Sequence, residues 1–228
     1  MSYTIVQIST FIARCYLVTA NGEEAILIDS GWPNSAKKIL KIIDKTGIMP
    51  SLILLTHGHV DHQGNAAEIR EATGARIAVH QFDADLCRDG TNGTVTPSYW
   101  FGRLMKPILN RQRVPSFEPD IVLQGGEELS DLGFSEVNGR IVHTPGHTPG
   151  SISLLLDSGE LFVGDLVIPP FPLGMLPFWS SKPGIPFIIT SPESYKNSIE
   201  KLLEFSPKMV YSGHGSFAEY TGVRKLPT

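Results

Sequence analysis

The sequence predicts an α/β protein built from mixed β-sheets with helices on their outer faces. Two observations carry this. The first 80 residues alternate between short apolar runs and amphipathic helical stretches, the pattern of strand–helix–strand units. Further along, apolar runs end repeatedly at a glycine beside a histidine or an aspartate, so polar chemistry sits at strand ends.

Residues 3–9, 12–18 and 25–29 read as strands, and Asn21-Gly22 marks a hairpin between the last two. Residues 34–46 read as a helix. Ala36, Ile39, Leu40 and Ile43 share one face, Lys37, Lys38, Lys41 and Lys45 cover the other, and Gly47 ends it. Residues 51–55 suit a buried strand. A helix is expected near 65–72, stopped by Gly74, and a strand over 75–80. Residues 88–120 mix turn formers with Tyr99, Trp100, Phe101, Leu104 and Met105, and read as an insertion with one short helix. Strands are expected at 141–143, 152–156 and 161–164, the last two joined by Asp157-Ser158-Gly159. A Pro-rich loop spans about 166–190. Ser191 then caps a final helix with Pro192 in its first position, and Tyr195, Ile199, Leu202 and Leu203 form its apolar face. Residues 208–212 form the last strand, which delivers His214 in a Gly-His-Gly turn. The whole, residues 1–228, reads as a single domain.

Composition removes several classes. With 41% hydrophobic residues the chain can bury a core, and disorder is excluded. A net charge of −4 lacks the basic excess of a nucleic-acid binder, so no nucleic-acid partner is expected. Cys15 and Cys87 stand far apart and form no Cys-x-x-Cys pair, which suits reduced thiols in a cytoplasmic protein. The N-terminus has no basic and apolar leader, and no apolar run is long enough to span a bilayer. No membrane partner is therefore expected.

Chemistry concentrates in Thr56-His57-Gly58-His59-Val60-Asp61-His62-Gln63-Gly64. Three histidines and an aspartate within six residues, directly after an apolar strand, are hard to explain by packing. Neutral imidazole and carboxylate are good ligands for zinc and similar divalent ions. Three further residues lie at strand ends: His147 in Thr-Pro-Gly-His-Thr-Pro-Gly, Asp165 after Gly164, and His214 between Gly213 and Gly215. Each alone is an ordinary turn residue. Together the seven side chains suffice for two metals with positions left for water and substrate. His143 and His80 read as structural.

This run of His-x-His-x-Asp-His followed by single His, Asp and His residues resembles the metallo-β-lactamase superfamily. The likeness extends from Leu27-Ile28-Asp29-Ser30-Gly31 to Gly213-His214-Gly215. It implies a four-layer αβ/βα sandwich of two mixed β-sheets flanked by helices, with two divalent ions at one edge. By the resemblance, His57, His59 and His147 hold the first metal, and Asp61, His62 and His214 the second. Asp165 bridges them, and Asp29 supports the loop from behind. Zinc is the expected metal, with iron or manganese also accepted by these donors. The implied chemistry is attack by a metal-bound hydroxide on a carbonyl or phosphoryl centre, with Asp61 also serving proton transfer.

The leading reading is a hydrolase of an ester, lactone or thioester. A mononuclear iron sulfur (persulfide) dioxygenase carries the same ligand run and is the alternative. A β-lactamase and a phosphodiesterase or nuclease rank lower, because neither cysteine falls at a motif position and no basic extension is present. Glyoxalase II-like relatives carry a helical glutathione-binding region after the last histidine, for which the 14 residues beyond His214 leave no room. Trp100, Phe171, Phe178 and Trp179 are the candidates for a substrate pocket, which predicts a small-molecule substrate with an apolar group. The competing reading of these aromatics is a homo-oligomer interface.

Overall fold

The computed structural model describes residues 2–169, 184–215 and 219–221. Two sheets form the centre. The first has the order β1 (Thr4–Thr10), β2 (Ala13–Thr19), β3 (Ala25–Ile28), β4 (Leu52–Leu54), β5 (Arg76–His80) and β6 (Ile121–Leu123). Its first three strands pair antiparallel, and β3 to β6 run parallel. The second sheet holds β7 (Gly139–His143), β8 (Ile152–Leu156), β9 (Glu160–Phe162), β10 (Met209–Tyr211) and β11 (Glu219–Thr221), in the order β11-β10-β9-β8-β7. Only its β9–β10 pair is parallel.

Side-chain alternation along the strands sorts the chain into layers. Tyr16 and Val18 of β2, Ile26 and Ile28 of β3, and Leu52 and Leu54 of β4 face inward. There they meet Ile141, Leu154, Leu156, Phe162 and Tyr211 from the second sheet. Leu17, Leu27, Ile53, Ile77 and Val79 point the other way, onto Ile39 and Ile43 of α1 (Ala36–Thr46) and Ile69 of the helix Ala66–Thr73. Behind the second sheet, Leu161, Val163 and Val210 pack on Ile199 and Leu202 of the helix Pro192–Glu204. The result is helix, sheet, sheet, helix: the four-layer sandwich that the resemblance implied.

In chain order the remaining helices are α2 (Val60–Gln63), α3 (Ala66–Thr73), α4 (Ala84–Asp89), α5 (Trp100–Leu109) and α6 (Pro192–Glu204). Most sequence-predicted elements are present with shifted ends. α1 starts at residue 36 and not 34, because Asn34 sits at φ +66 and Asn65 Oδ1 accepts from the Ser35 and Ala36 amides. Ser191 does cap α6, accepting from the Ser194 amide. α2, α4, β6 and β11 lie outside the expected elements, and β10 is not the last strand, since β11 follows and pairs with it. α4 is six residues and β6 three, too short for a period to show. No helix among the described residues is long and apolar enough to cross a membrane.

At one edge the sheets are stitched together. The Ile152 amide donates to Thr56 O, the Arg14 amide to Gly213 O, and the Tyr16 hydroxyl to Ser212 O. The turns after β4, β7, β9 and β10 all converge there.

Candidate metal centre

The turn after β4 leads straight into α2, so His57 and His59 precede the helix and Asp61 and His62 lie on it. From the second sheet come His147 after β7, Asp165 in the 3-10 turn Gly164–Leu166, and His214 after β10. Close approach is allowed by glycine. A Cβ on Gly213 would lie 2.6 Å from both Asp165 Oδ1 and His62 Cε1. Gly164, at φ +52, lies against Thr56 in the same way.

Three groups of candidate donor atoms result, each within 4.8 Å: His57, His59 and His147; Asp61, His62 and His214; and His57, His62 and Asp165. The Asp165 carboxylate lies between the first two. Its Oδ1 is 3.3 Å from His62 Nε2, and its Oδ2 is 3.1 Å from His214 Nε2 and 3.7 Å from His147 Nε2. His214 Nε2 also lies 3.3 Å from Asp61 Oδ2.

The outer ring nitrogens fix how the imidazoles present themselves. His147 Nδ1 lies 2.9 Å from Ile188 O, and His214 Nδ1 lies 3.1 Å from Ile12 O. A carbonyl only accepts, so both Nδ1 atoms carry a proton and both Nε2 atoms turn inward, where a bound ion would take the lone pair in place of a second proton. His62 Nδ1 donates to Asp29 Oδ2 at 2.8 Å, with the same effect. The Thr56 hydroxyl donates to Asp29, so it accepts from His57 Nδ1 at 3.1 Å and leaves His57 Nε2 bare. That Nε2 and Asp165 Oδ1 are buried without a hydrogen-bond partner. His147 Nε2 and His59 Nδ1 approach to 3.0 Å, and His62 Nε2 and His214 Nε2 to 3.4 Å. Bare lone pairs and orphaned oxygens pointed at common centres are what divalent cations satisfy, so the donor set fits two ions.

Electrostatics divides the site. Burial, reinforced by crowding with other imidazoles, pushes His57 well down, His59 to about 3 and His147 down, so these three stay neutral and ready to ligate. Burial also opposes charge on His62 and His214. Asp165 with Asp29 outweighs it at the former, and Asp165 with Asp61 at the latter, lifting His62 well up and His214 to about 9. The carboxylates answer in kind. Despite burial, His214 and His62 hold Asp61 and Asp165 below the usual range.

Asp29 lies where the resemblance implied. Buried at φ +59, it accepts from the Thr56 amide and from His62. A second supporting carboxylate, Asp83, escaped the sequence reading. It accepts from the Gly58 amide (2.9 Å), the Thr148 hydroxyl (2.7 Å) and the Gly150 amide (2.8 Å), tying the His57 turn to the His147 turn. Its only sequence signal is its place just after a strand. Asn92 Oδ1 accepts from the Val60 amide at the start of α2. His80 and His143 lie apart from the three donor groups. Their rings stack at 4.1 Å, and their Nε2 atoms donate to Gln124 O and Pro149 O.

The donors floor a cavity of about 240 Å³. Its walls are apolar: Ile12 and Trp32 on one side, Phe101 and Met105 of α5, and Phe187 and Ile188 beyond. No lysine or arginine lines it among the described residues. Trp100 is 69% exposed and does not line it, because one residue around α5 turns Phe101 inward in its place. Phe171, Phe178 and Trp179 lie outside the described residues.

Comparison with known proteins gives a family match over residues 9–214, to the metallo-beta-lactamase superfamily. Hydroxyacylglutathione hydrolase GloC of Haemophilus influenzae is 29% identical over 171 residues, covering 73% of this chain and 72% of GloC. The BLEG-1 B3 metallo-beta-lactamase superposes with a TM-score of 0.72 at 22% identity, covering 96% of this chain and 94% of that one. The di-iron-bound form of TTHA1623 superposes with a TM-score of 0.66 at 25% identity, covering 98% of each chain.

Proposed function

Since the chain belongs to the metallo-β-lactamase superfamily, we propose that it is a dinuclear metal-dependent hydrolase of an ester, lactone or thioester with an apolar group. The observation that carries this reading is the convergence of two donor trios around Asp165 at the floor of an apolar cavity. His57, His59 and His147 are assigned to one ion, Asp61, His62 and His214 to the other, and Asp165 to both. Zinc is the first choice of metal. Two divalent ions bound there supply Lewis acidity and a water that ionises near neutral pH.

The chain's own side chains do the rest. Phe101, Met105, Phe187 and Ile188 bind the apolar part of the substrate and exclude water. Asp29 and the carbonyls of Ile12 and Ile188 hold their imidazoles in one tautomer. Asp61, at the cavity floor and only partly buried, takes up and returns the proton during the reaction. GloC is named for a glutathione thioester. Apart from the proposed ions, no lysine or arginine lines the cavity among the described residues, and its apolar wall favours a substrate whose remaining body is apolar.

The test is a panel of lactones, thioesters, β-lactams and phosphodiesters, run on protein loaded with zinc, iron or manganese and scored alongside metal content. The expected result is two ions per chain and turnover of esters, lactones or thioesters with an apolar group. Asp61→Asn should lower kcat by at least roughly 100-fold. Asp165→Ala should reduce retention of both ions. A single iron together with oxygen uptake on a persulfide would replace hydrolysis by dioxygenation.

A further inference from the structure

Large apolar side chains left in water gather around the mouth of the cavity. Among the described residues eight are exposed: Phe11, Met49, Phe82, Trp100, Leu104, Ile108, Val122 and Ile185. Five of these belong to the cavity's rim. Phe11 precedes the lining residue Ile12 and sets its ring on the edge of Trp32, another lining residue, at 5.2 Å. Ile185 precedes Pro186, also lining. Trp100, Leu104 and Ile108 come from α5; Ile108 itself borders the cavity, whose wall also takes Phe101 and Met105 from this helix.

α5 therefore carries apolar side chains beyond those that wall the cavity, with Arg103 and Lys106 on the remaining arc. Its outward stripe is Trp100, Arg103, Leu104, Pro107 and Ile108, all exposed at helical spacing. An amphipathic helix whose apolar arc is only partly covered by its own protein suits an interface better than open water. The charge around it has one sign. From residue 90 to 117 there is no aspartate or glutamate, while Arg103, Lys106, Arg111 and Arg113 are present in a chain whose net charge is −4. None of these four cations joins an ion pair among the described residues. Tryptophan and leucine flanked by arginine and lysine are the composition of helices that lie in the plane of an anionic lipid surface. A second copy is a poorer occupant. A twofold contact centred on Pro107 would set Arg103 of each copy near Arg111 of the other. No helix among the described residues is long and apolar enough to cross a bilayer, so a lipid contact of this stripe is lateral.

We propose that the apolar, cationic collar formed by α5 and the rim docks on the surface of an anionic lipid bilayer, with the cavity mouth facing the lipid. The implied substrate is an amphiphile whose long acyl chain passes from the surface into the cavity. That second part rests on the hydrolase reading, whereas the docking does not.

The experiment uses the whole metal-loaded chain and vesicles of phosphatidylcholine with and without phosphatidylglycerol, separated by sedimentation at low and high salt. Binding is expected only with phosphatidylglycerol and should weaken as salt rises. Arg103→Gln and Arg111→Gln should each weaken partitioning roughly fivefold. Leu104→Asn should weaken it at every salt concentration. None of these residues lines the cavity, so metal content, melting temperature and turnover of a short soluble ester should stay at wild-type values. Failure of the wild type to sediment with anionic vesicles, or equal binding to neutral ones, would overturn the docking. So would a concentration-dependent dimer that Leu104→Asn abolishes while vesicles are ignored. Vesicle binding without turnover of any ester would sink the hydrolase reading and leave the docking standing.

Discussion

Asp83 ranks with the proposed ligands among the residues that set the geometry of the centre. It is fully buried, and its carboxylate accepts from donors on two turns that come from different sheets. The Gly58 amide lies between His57 and His59, while Thr148 and Gly150 follow His147. Removing the carboxylate leaves two buried amides and a hydroxyl without their partner. Charged hydrogen bonds of this kind contribute about 1.5–3 kcal/mol each, without full additivity. Asp83→Ala is therefore expected to cost about 3–5 kcal/mol in urea unfolding and to weaken binding at the first trio in a metal titration. Asp85→Ala, two residues on, removes an exposed ion pair with Arg88 and should cost less than about 1 kcal/mol. Equal effects of the two would mean that the Asp83 network does not hold the turns. At this scale, legibility followed residue density. Seven candidate donors stood out because histidines and glycines cluster around them. Asp83 did not, since one aspartate in Gln-Phe-Asp-Ala looks like any surface turn.

Among the elements, α5 shows what periodicity can and cannot reveal. Its existence was legible in the apolar stretch around residues 99–105. Which part of its apolar arc turns inward was not, because Trp100, Leu104 and Ile108 adjoin Phe101, Met105 and Leu109 on one continuous arc opposite Arg103 and Lys106. Trp100, the candidate from this stretch, is one residue from Phe101, the side chain that lines the cavity. A backbone contact settles the rotation. Gly102 packs on the segment that forms the opposite wall, and a Cβ there would lie 2.5 Å from Phe187 O and 3.0 Å from Pro97 Cβ. Neither neighbour can yield easily, since the Ser98 amide donates to Phe187 O and the Ser98 hydroxyl to Pro186 O. Gly102→Ala should push α5 away from that segment. Overpacking predicts a stability loss of about 1–3 kcal/mol. It also predicts a changed dependence of kcat/KM on acyl chain length, with metal content unaltered. A chain-length profile identical to wild type would show that the α5 wall does not contact the substrate.

On the scale of the molecule, the two-sheet core followed from alternation along β2, β3, β4 and β8, where most inward and outward side chains are apolar but meet different layers. What alternation could not reveal was which strand ends meet, because that depends on long-range pairing and on bonds such as Ile152 N–H to Thr56 O. The site is a product of that pairing. His57, His59, Asp61 and His62 follow β4 of the first sheet, while His147, Asp165 and His214 follow strands of the second. Ions held by donors from both sheets bind the folded chain and not the unfolded one, so they stabilise the sandwich as a whole. At a free concentration one hundred times Kd, each site adds about 2.7 kcal/mol. Two sites give about 5 kcal/mol, and for a chain of this size roughly 2–4 °C accompanies each kcal/mol. Calorimetry should therefore show the melting temperature falling by roughly 10–20 °C when the ions are removed by a chelator, and recovering when zinc is returned. His214→Ala should lose a large part of that increment. His143→Ala should keep all of it, because its ring is committed to His80 and Pro149 and reaches none of the donors. A melting temperature indifferent to chelation would mean that the ions do not join the two sheets, and the dinuclear assignment would fall with it.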